Sequence, residues 1–382
     1  MKIVSLIGAR PNFMKIAPFT RAIANHNKTS ENKIKHVLVH TGQHYDIRMS
    51  QKFFDDLNIP APNIHLEIGS GTHAEQVGNT MIAFEKVLHQ EKPDWVVVVG
   101  DINAILAGSV TAKKEHIKLA HIEAGLRSGD ITMPEEVNRL VADRLSDLLF
   151  TPDIMSNVNL RKEGVPEEKI KFVGNIMIDT LEFEKDKAFN LEIDNVFKDN
   201  LLEAQSIEGF SEKKFAVVTL HRPSNVDEKE IFSPIVKFLE QEVTKEMPII
   251  WPVHPRAQKL LKDFSLYDDL IKNKNILLLH PIGYHELLKL NKNARLVLTD
   301  SGGLQEECTV LGTPCLTLRW NTERPITLME NGGNSVLVGN NIDRIREEYQ
   351  LTLVKNTKPV RPELWDGKTA ERIVQTILEQ RD

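Results

Sequence analysis

ARLVLTDSGGLQEE, residues 294–307, joins an apolar run to a Ser-Gly-Gly turn that opens a helical pattern. Because glycine has no Cβ, a ligand can approach the backbone closely at Gly302 and Gly303. The unpaired N–H groups in the first turn of a helix bind an anion at such a place. Arg324 follows soon after and offers a guanidinium for the same charge. The stretch therefore predicts a strand that ends in a phosphate site, with a phosphorylated or nucleotide-bearing ligand in the C-terminal half.

Similar apolar runs recur along the chain and alternate with longer amphipathic segments. Such alternation indicates a parallel sheet that is covered by helices on both faces. The runs of the first half are residues 2–7, 36–40, 95–99, 119–122, 148–150 and 171–173. The pattern restarts after a charged, apolar-poor stretch at 182–214, with runs at 215–220, 249–253, 276–279, 295–298 and 315–318. The sequence thus predicts two doubly wound α/β domains.

The length of 382 residues also suits two domains of similar size. We predict a first domain from residues 1–173 with 366–382, whose last helical segment returns to it, and a second domain from 174–365. In open α/β sheets, ligands bind beyond the carboxyl ends of the strands. The expected position of the active site is therefore the cleft between the two domains.

Composition excludes several classes of partner. The formal net charge is −6, with 41% apolar and 27% charged residues, whereas binding to nucleic acid or an anionic membrane needs a basic surface. The two cysteines, Cys308 and Cys315, are too few for a disulfide framework and suit a reducing compartment. The apolar N-terminus is followed too soon by Arg10 and Lys15 for a signal peptide. We expect a cytoplasmic protein with no nucleic-acid or membrane partner.

Acidic side chains follow two predicted strands of the first half. Asp101 and Glu123 come directly after such strands, and Glu135 lies in a Met-Pro-Glu-Glu segment at the start of a helix. Helix capping is the simpler explanation for Asp101 and Glu135 taken singly. Three acids at one sheet edge could alternatively hold Mg²⁺. We favour acid/base catalysis without a metal.

Basic side chains occupy corresponding positions. His221 and His254 end neighbouring predicted strands of the second half, and a histidine changes its charge near neutral pH. Arg10 and Lys15 follow the first strand, although Lys15 taken alone would be a solvated helix residue. Gly8-Ala9-Arg10-Pro11 stands where a dinucleotide fingerprint would place its glycines, so a nicotinamide cofactor is disfavoured.

An ordered set of motifs resembles the non-hydrolysing UDP-N-acetylglucosamine 2-epimerase family from the first strand to the final helix. The motifs are Gly8-Ala9-Arg10-Pro11-Asn12-Phe13-Met14-Lys15, Thr41-Gly42-Gln43-His44-Tyr45, Val99-Gly100-Asp101, His121-Ile122-Glu123-Ala124-Gly125-Leu126-Arg127-Ser128, Met133-Pro134-Glu135-Glu136-Val137-Asn138-Arg139, His221-Arg222, Asp300-Ser301-Gly302-Gly303 and Glu323-Arg324-Pro325. The resemblance implies a GT-B-like pair of Rossmann-like domains, a homodimer, and UDP held mainly by the second domain.

The resemblance also implies the reaction. Members of the family invert carbon 2 of the sugar without a cofactor, by anti elimination of UDP to a 2-acetamidoglucal and re-addition of UDP. The implied catalytic residues are Asp101, Glu123, Glu135 and His221, and which acid removes the proton stays open. The implied UDP-binding residues are Arg10, Lys15, Ser301, Gly302, Gly303, Glu307 and Arg324, together with Ile282 and Leu287 in a uracil-contacting segment. Gln43 and His44 match a region where a second UDP-N-acetylglucosamine acts as an allosteric activator.

Two departures from the family pattern concern the substrate more than the reaction class. Pro223-Ser224-Asn225 stands where many relatives have Glu before Asn, and Gly332-Gly333-Asn334 where many have Gly-Thr-Asn. Alternatives are a hydrolysing epimerase that releases N-acetylmannosamine and UDP, an epimerase of a UDP-2,3-diacetamido sugar, and a GT-B glycosyltransferase. A non-catalytic nucleotide-sugar sensor ranks last, because it would have no use for the acids and His221.

Overall fold

The computed structural model describes residues 1–8, 10–42, 59–211 and 214–380. The chain forms two compact units, Met1–Phe183 with Pro362–Asp382 and Glu184–Arg361. The first division falls inside a helix, Ile176–Phe189, beyond the boundary predicted after residue 173. The second lies four residues before the one predicted after residue 365.

The described residues of the first unit build a seven-stranded parallel sheet in the order β3-β2-β1-β4-β5-β6-β7. Every residue of β4, Trp-Val-Val-Val-Val, is buried, as expected for a strand that is covered on both faces. The strands are β1 (Lys2–Ile7), β2 (Lys35–His40), β3 (Ile64–His65), β4 (Trp95–Val99), β5 (Lys118–Ile122), β6 (Leu148–Thr151) and β7 (Ile170–Phe172).

Helices connect these strands, and two of them begin at side-chain caps, Thr72 and Asp153. Thr72 precedes the second helix, its hydroxyl accepts from the Glu75 N–H at 3.2 Å, and the Glu75 carboxylate accepts from the Thr72 N–H at 2.8 Å. This capping box satisfies two N–H groups that have no partner within the helix. The helices are α1 (Arg10–Thr29), α2 (His73–Glu91), α3 (Asn103–Lys114), α4 (Pro134–Leu145), α5 (Ile154–Lys162) and α6 (Ile176–Phe189).

The described residues of the second unit build a six-stranded parallel sheet in the order β10-β9-β8-β11-β12-β13. Apolar clusters cover both faces, one around Trp251 and one around Phe197. The strands are β8 (Ala216–Thr219), β9 (Ile249–Pro252), β10 (Ile276–Leu279), β11 (Leu296–Thr299), β12 (Cys315–Thr317) and β13 (Ser335–Leu337). The helices are α7 (Ile193–Lys198), α8 (Pro223–Val226), α9 (Lys229–Phe238), α10 (Thr244–Glu246), α11 (Pro255–Asp263), α12 (Tyr267–Lys272), α13 (Tyr284–Asn293), α14 (Gly302–Leu311) and α15 (Ile342–Val354).

The final helix, α16 (Thr369–Glu379), belongs to the first unit and packs against α1. Its first N–H groups, on Thr369 and Ala370, donate to the Asp179 carboxylate at 3.0 and 2.7 Å. Burial raises the pKa of Asp179 to about 6, and these donors offset part of that rise. Nearby, the Trp365 indole N–H donates to the Pro152 carbonyl at 2.9 Å.

Each sheet has one place where the strand order changes direction. In the first unit it lies between β1 and β4, and in the second between β8 and β11. Loops that leave neighbouring strands there diverge, which opens a crevice at the carboxyl ends of the strands. Among the residues predicted to act, Asp101 follows β4, His221 follows β8 and Ser301 follows β11. Within the described part of the chain, we find no helix long and apolar enough to cross a membrane.

Candidate active site

The switch point of the first unit is held together by Asn12, in the first turn of α1. Its side-chain oxygen accepts from the Gly8 N–H at 3.1 Å, and its amide donates to the Val99 carbonyl at 2.8 Å. Asn12 is 1% exposed, so both bonds are shielded from water. The ends of β1 and β4 are thereby fixed relative to each other, and Asp101 leaves the end of β4 from this fixed base.

Glu123 follows β5 and is buried, with a backbone φ of 71°. One carboxylate oxygen, Oε2, forms an ion pair with the Lys15 ammonium, which is also buried. The other, Oε1, is buried and has no hydrogen-bond partner among the described residues. Glycine is favoured at position 100, where φ is 79° and a Cβ would lie 3.0 Å from the Lys15 Nζ. Lys15 is therefore a partner of Glu123 and not the solvated residue that its helical position alone suggests.

Asp101 pairs with Arg139 of α4 through its Oδ2. Its side chain is 24% exposed, whereas the Arg139 side chain is buried. The Asn138 amide also donates to the Asp101 carbonyl at 2.9 Å. Helix capping does not explain Asp101, because α3 begins at Asn103 and its cap residue is Ile102.

Glu135 and Glu136 differ sharply although both lie in the first turn of α4. Glu135 is half-buried, and Glu136 is buried. Glu136 accepts from the Ser128 and Gly129 N–H groups at 3.0 Å and pairs with Arg139 at 2.6 Å. Burial alone would raise the pKa of Glu136, but the Ser128 and Arg139 hydrogen bonds outweigh it and lower the pKa. Glu136 is thus a link between α4 and the loop after β5, a role that the repeated Glu-Glu in the sequence does not reveal.

His221 follows β8 in the second unit and pairs with Asp300, which follows β11. The His221 Nδ1 lies 2.7 Å from the Asp300 Oδ1. The Asp300 Oδ2 accepts from the His221 and Arg222 N–H groups at 2.9 and 2.8 Å and from the Asn225 amide at 3.1 Å. Asp300 is fully buried, while the His221 side chain is 42% exposed. The pair fixes the imidazole with Nδ1 towards Asp300 and leaves the ring accessible.

Burial would raise the pKa of the Asp300 carboxyl, but the hydrogen bond and charge of His221 outweigh burial and lower it. His254, the second predicted strand-end histidine, stacks at a tilt beside the His221 ring with centroids 5.5 Å apart. Its Nδ1 accepts from the Arg256 N–H at 3.2 Å, so His254 also caps α11.

The predicted phosphate site begins directly after Asp300. Ser301 precedes α14, and its N–H donates to the Thr299 hydroxyl at 3.0 Å. A Cβ on Gly302 would lie 2.7 Å from the Arg324 Nη1 and 2.8 Å from the Glu323 Oε1. A Cβ on Gly303 would meet nothing closer than 4.0 Å. Gly302 is therefore required by the side chains packed against it, while Gly303 leaves open space at the helix start.

Arg324 belongs to a chain of buried ion pairs beside Gly302. It contacts the Glu306 Oε1 at 2.8 Å through Nε and pairs with Glu323 through Nη1. The second Glu323 oxygen lies 2.7 Å from the Arg319 Nη2. Glu323 thus orients two guanidiniums next to the first residue of α14. Arg319 was not predicted from the sequence, although its position directly after the apolar run 315–318 could have indicated it.

Glu307 lies one turn into α14 and is buried. Burial raises the pKa of its carboxyl to about 8, and the charge of Glu306 adds to that rise. The Asn291 amide donates to the Glu307 Oε2 at 3.2 Å and offsets part of it. The Tyr284 hydroxyl is buried in the same region, and burial and the charge of Glu307 raise its pKa well above the usual value.

The remaining predictions concern the uracil-contacting segment, the activator region and a possible metal site. Ile282 and Leu287 both pack into the apolar cluster around Phe197, Ile282 fully and Leu287 partly buried. The Arg10 side chain, Gln43 and His44 lie outside the described residues. Within the described ranges, no group of three or more His, Cys, Asp or Glu side chains is placed to hold a metal ion.

The two segments that hold the sequence departures are fixed by buried contacts. Asn225 is buried and bridges the Asp300 carboxylate and the Leu318 carbonyl, at 3.1 and 2.9 Å. A Cβ on Gly333 would lie 2.0 Å from the Thr327 carbonyl oxygen, so the backbone segments touch there. Asn334 is also buried and donates to two backbone carbonyls.

Comparison with known proteins shows the family. A family model described as UDP-N-acetylglucosamine 2-epimerase matches residues 26–378. The chain belongs to the UDP-N-acetylglucosamine 2-epimerase family. As a member of this 2-epimerase family it is an isomerase.

Several members of the 2-epimerase family match nearly the whole chain. The UDP-N-acetylglucosamine 2-epimerase of Methanocaldococcus jannaschii is 43% identical over 379 residues, which cover 99% of each chain. A crystal structure of that enzyme with UDP-GlcNAc and UDP has a TM-score of 0.86 at 42% identity, covering 99% of this chain and 100% of that one. The UDP-2,3-diacetamido-2,3-dideoxy-D-glucuronate 2-epimerase of Pseudomonas aeruginosa is 37% identical, covering 99% of each chain. These relatives confirm the predicted fold class, a GT-B-like enzyme with two Rossmann-like domains.

Proposed function

We propose that this 2-epimerase interconverts UDP-N-acetylglucosamine and UDP-N-acetylmannosamine without hydrolysis, through UDP elimination and re-addition. The observation that carries the proposal is Glu123. Its Oε2 is tied to Lys15, and its buried Oε1 has no partner among the described residues. A desolvated carboxylate oxygen in a fixed position is suited to take a proton from a weak carbon acid.

The reaction needs a base at one face of carbon 2 and an acid at the other. The hydrogen on carbon 2 is barely acidic, so a positioned group must remove it. We assign the two proton transfers to Glu123, Asp101 and Glu135, without deciding which carboxyl removes the proton and which returns it. Asp101 is suited to the exchange because its side chain is partly exposed and is oriented by Arg139.

The leaving UDP develops negative charge on its diphosphate. We assign its stabilisation to the first N–H groups of α14 and to Arg324, because fixed donors and cations lower the energy of a developing anion. His221 lies in the same unit, and its partner Asp300 directly precedes Ser301. An imidazole held at Nδ1 by Asp300 is oriented to donate from Nε2 to the departing phosphate oxygen.

The nucleoside part of UDP is assigned to the region of Glu307. We propose that Glu307 contacts the ribose hydroxyls and that residues 281–287, with Ile282 and Leu287, meet the uracil through backbone groups. Arg10 and Lys15 are retained as further UDP-binding residues. A second UDP-N-acetylglucosamine is proposed as an activator near Gln43 and His44, and the active form as a homodimer. A substrate of the UDP-2,3-diacetamido type is the second candidate, because the P. aeruginosa relative carries that name.

Incubation with UDP-N-acetylglucosamine in D₂O, followed by NMR of the sugar, tests the proposal. The expected product is UDP-N-acetylmannosamine with deuterium at carbon 2, formed at a rate that rises more steeply than linearly with substrate if a second molecule activates. Free N-acetylmannosamine with UDP would identify a hydrolysing enzyme instead. Absence of exchange and turnover over a range of substrate concentrations would overturn the assignment. A parallel reaction with a UDP-2,3-diacetamido sugar decides between the substrates.

A further inference from the structure

A chain of charged side chains, buried except at its Glu163 end, runs through the first unit near Asp101 and Glu123. The His121 Nδ1 lies 2.6 Å from the Asp143 Oδ1, and both side chains are at most 1% exposed. The Asp143 Oδ2 lies 2.7 Å from the Arg127 Nη1, and Arg127 binds the Glu163 carboxylate with two bonds of 2.7 Å. The chain therefore joins β5, the loop after it, α4 and the end of α5.

The hydrogen bonds of this chain follow from its partners. The His121 Nε2 lies 2.8 Å from the Gly100 carbonyl, which can only accept, so Nε2 donates to it. Nδ1 lies against the Asp143 carboxylate, so both ring nitrogens face acceptors. Burial would raise the pKa of Asp143, but the charges of His121 and Arg127 outweigh burial and lower it. The Asp143 carboxylate thus lies between the His121 ring and the Arg127 guanidinium.

The backbone groups held by this pair stand beside both acids. Gly100 directly precedes Asp101, and its N–H also donates to the Ile122 carbonyl at 3.1 Å. On the other side, the Gly125 N–H donates to the Asp143 Oδ2 at 3.0 Å, two residues after Glu123. The His121–Asp143 pair therefore forms hydrogen bonds with one residue next to Asp101 and with one residue close to Glu123.

The segments held by this pair have left-handed backbone at three positions. Gly100 and Gly125 have φ of 79° and 82°, which glycine adopts without strain. Glu123 itself has φ of 71°, a region that a residue with a Cβ rarely adopts and that persists only where surrounding contacts fix it. Gly125 is closed in from the other side as well, because a Cβ there would lie 2.6 Å from the Ser156 carbonyl oxygen.

We propose that His121 and Asp143 are positioning residues that set the separation and orientation of the Asp101 and Glu123 carboxylates. Neither needs to touch the substrate. A fully buried ion pair adds little to stability over well-packed apolar side chains. Its role here is to orient the backbone, since one pair binds both the carbonyl of Gly100 and the N–H of Gly125. The inference rests on the proposed function of these two acids.

The test compares Asp143→Asn and His121→Gln with wild type and with His36→Gln. His36 is a matched control, because it lies on the neighbouring part of the same sheet and donates or accepts one hydrogen bond with the Ser5 hydroxyl at 2.8 Å. Asp143→Asn keeps the side-chain shape but cannot serve both His121 and Gly125 as an anion. The readouts are kcat, KM, deuterium incorporation at carbon 2, UDP affinity by calorimetry and the thermal unfolding midpoint.

We expect Asp143→Asn and His121→Gln to lower kcat and deuterium incorporation together by about 10²-fold, since small displacements of catalytic groups cost that much. UDP affinity and KM should stay within about threefold of wild type, because the UDP site proposed above lies mainly in the other unit. His36→Gln should keep kcat at any temperature where it is folded. The number of UDP molecules bound per chain reports the folded fraction of each variant.

Two results would overturn the inference. One is a kcat within about threefold of wild type in either variant. The other is a loss of kcat in His36→Gln that is as large as in the two variants and that follows the fall in the thermal unfolding midpoint in all three proteins. These failures differ from a failure of the proposed function, in which wild type itself would incorporate no deuterium. If one of the two variants is too unstable to purify, the other carries the comparison, because each breaks the same His121–Asp143 pair.

Discussion

Glu123 and His221 share one feature: a partner side chain binds one polar atom of each residue, and the second polar atom is left for the substrate in the proposed function. Lys15 holds one oxygen of Glu123, and Asp300 holds one nitrogen of His221. Replacing Glu123 by Gln, or His221 by Asn, keeps the shape but removes the proton chemistry. We expect each change to lower kcat by about 10²- to 10⁴-fold.

UDP affinity, measured by calorimetry, should stay near that of wild type in both variants. The reason is that neither change alters the start of α14 or Arg324. Full activity in either variant would remove that residue from the mechanism. A large loss of UDP binding in Glu123→Gln would instead place this carboxylate in the nucleotide site.

Glu307 predicts a pH-dependent stability. A glutamate without interactions titrates near 4.5, whereas burial raises the pKa of Glu307 in the folded protein to about 8. Between these values the folded state binds more protons than the unfolded state, so the free energy of unfolding falls as pH rises. Each pKa unit corresponds to about 1.4 kcal/mol, and the total loss by pH 8.5 is on the order of a few kcal/mol.

Urea unfolding of wild type and Glu307→Gln between pH 5 and 8.5 measures this effect. Because Gln does not ionise, the free energy of unfolding of the variant should depend less on pH. The stability of the variant relative to wild type should therefore increase as pH rises. If the free energies of unfolding of the two proteins changed with pH in parallel, Glu307 would not be protonated in the folded protein in this pH range. Glu330→Gln is the control for the loss of a carboxyl group, because Glu330 lies outside the buried core.

The candidate site was predictable from sequence only where a residue follows a strand. Asp101, Glu123 and His221 all leave strands at the predicted edge, because strand positions can be read from apolar runs. The pairing of Lys15 with Glu123 could not be foreseen, since it joins residues 108 positions apart. Glu136 and His121 were likewise missed, because the partners of a buried polar group depend on tertiary packing.

Strand elements were predicted best where they lie in the middle of a sheet. β1 and β4 have the predicted bounds, since a strand that is buried on both faces appears in sequence as a continuous apolar run. β10 lies at the edge of the second sheet but also has the predicted bounds, because all four of its residues are buried. β3 and β13 were not predicted. They have two and three residues at the sheet edges, which is too short for a recognisable pattern.

The start of α14 allows a comparison of two neighbouring glycines. Gly302→Ala would push a methyl group against the buried Arg324 and Glu323 side chains, whereas Gly303→Ala would meet open space. We expect Gly302→Ala to destabilise the ligand-free protein by about 1–3 kcal/mol. Gly303→Ala should be neutral or stabilising by up to about 1 kcal/mol, because alanine favours the helix.

Urea unfolding without ligand measures both glycine changes, so that any contact with a phosphate does not enter the comparison. Equal stability of the two variants would mean that the ion pairs around Gly302 yield without cost. The same proteins can then be titrated with UDP. A loss of affinity in Gly303→Ala, despite unchanged stability, would place the ligand against that residue.

At the scale of the whole molecule, the two units carry different chemistry. The first holds the three acids and the His121–Asp143 pair, and the second holds His221, the start of α14 and Arg324. The assignment proposed above therefore places most proton-transfer groups in the first unit and most UDP contacts in the second, with His221 and with Arg10 and Lys15 as the exceptions. This proposed division separates most of the UDP binding from most of the proton transfer.

Hydrogen exchange measured by mass spectrometry tests this division. UDP alone should slow exchange mainly at residues 301–304 and 319–324, where N–H groups surround the proposed diphosphate position. Residues near Gly100 and Gly125 should change little with UDP and more with UDP-N-acetylglucosamine, since only the complete ligand presents carbon 2 to the acids. If UDP alone slowed exchange equally in both units, the nucleotide would be shared between them. The proposed separation of binding from proton transfer would then be wrong.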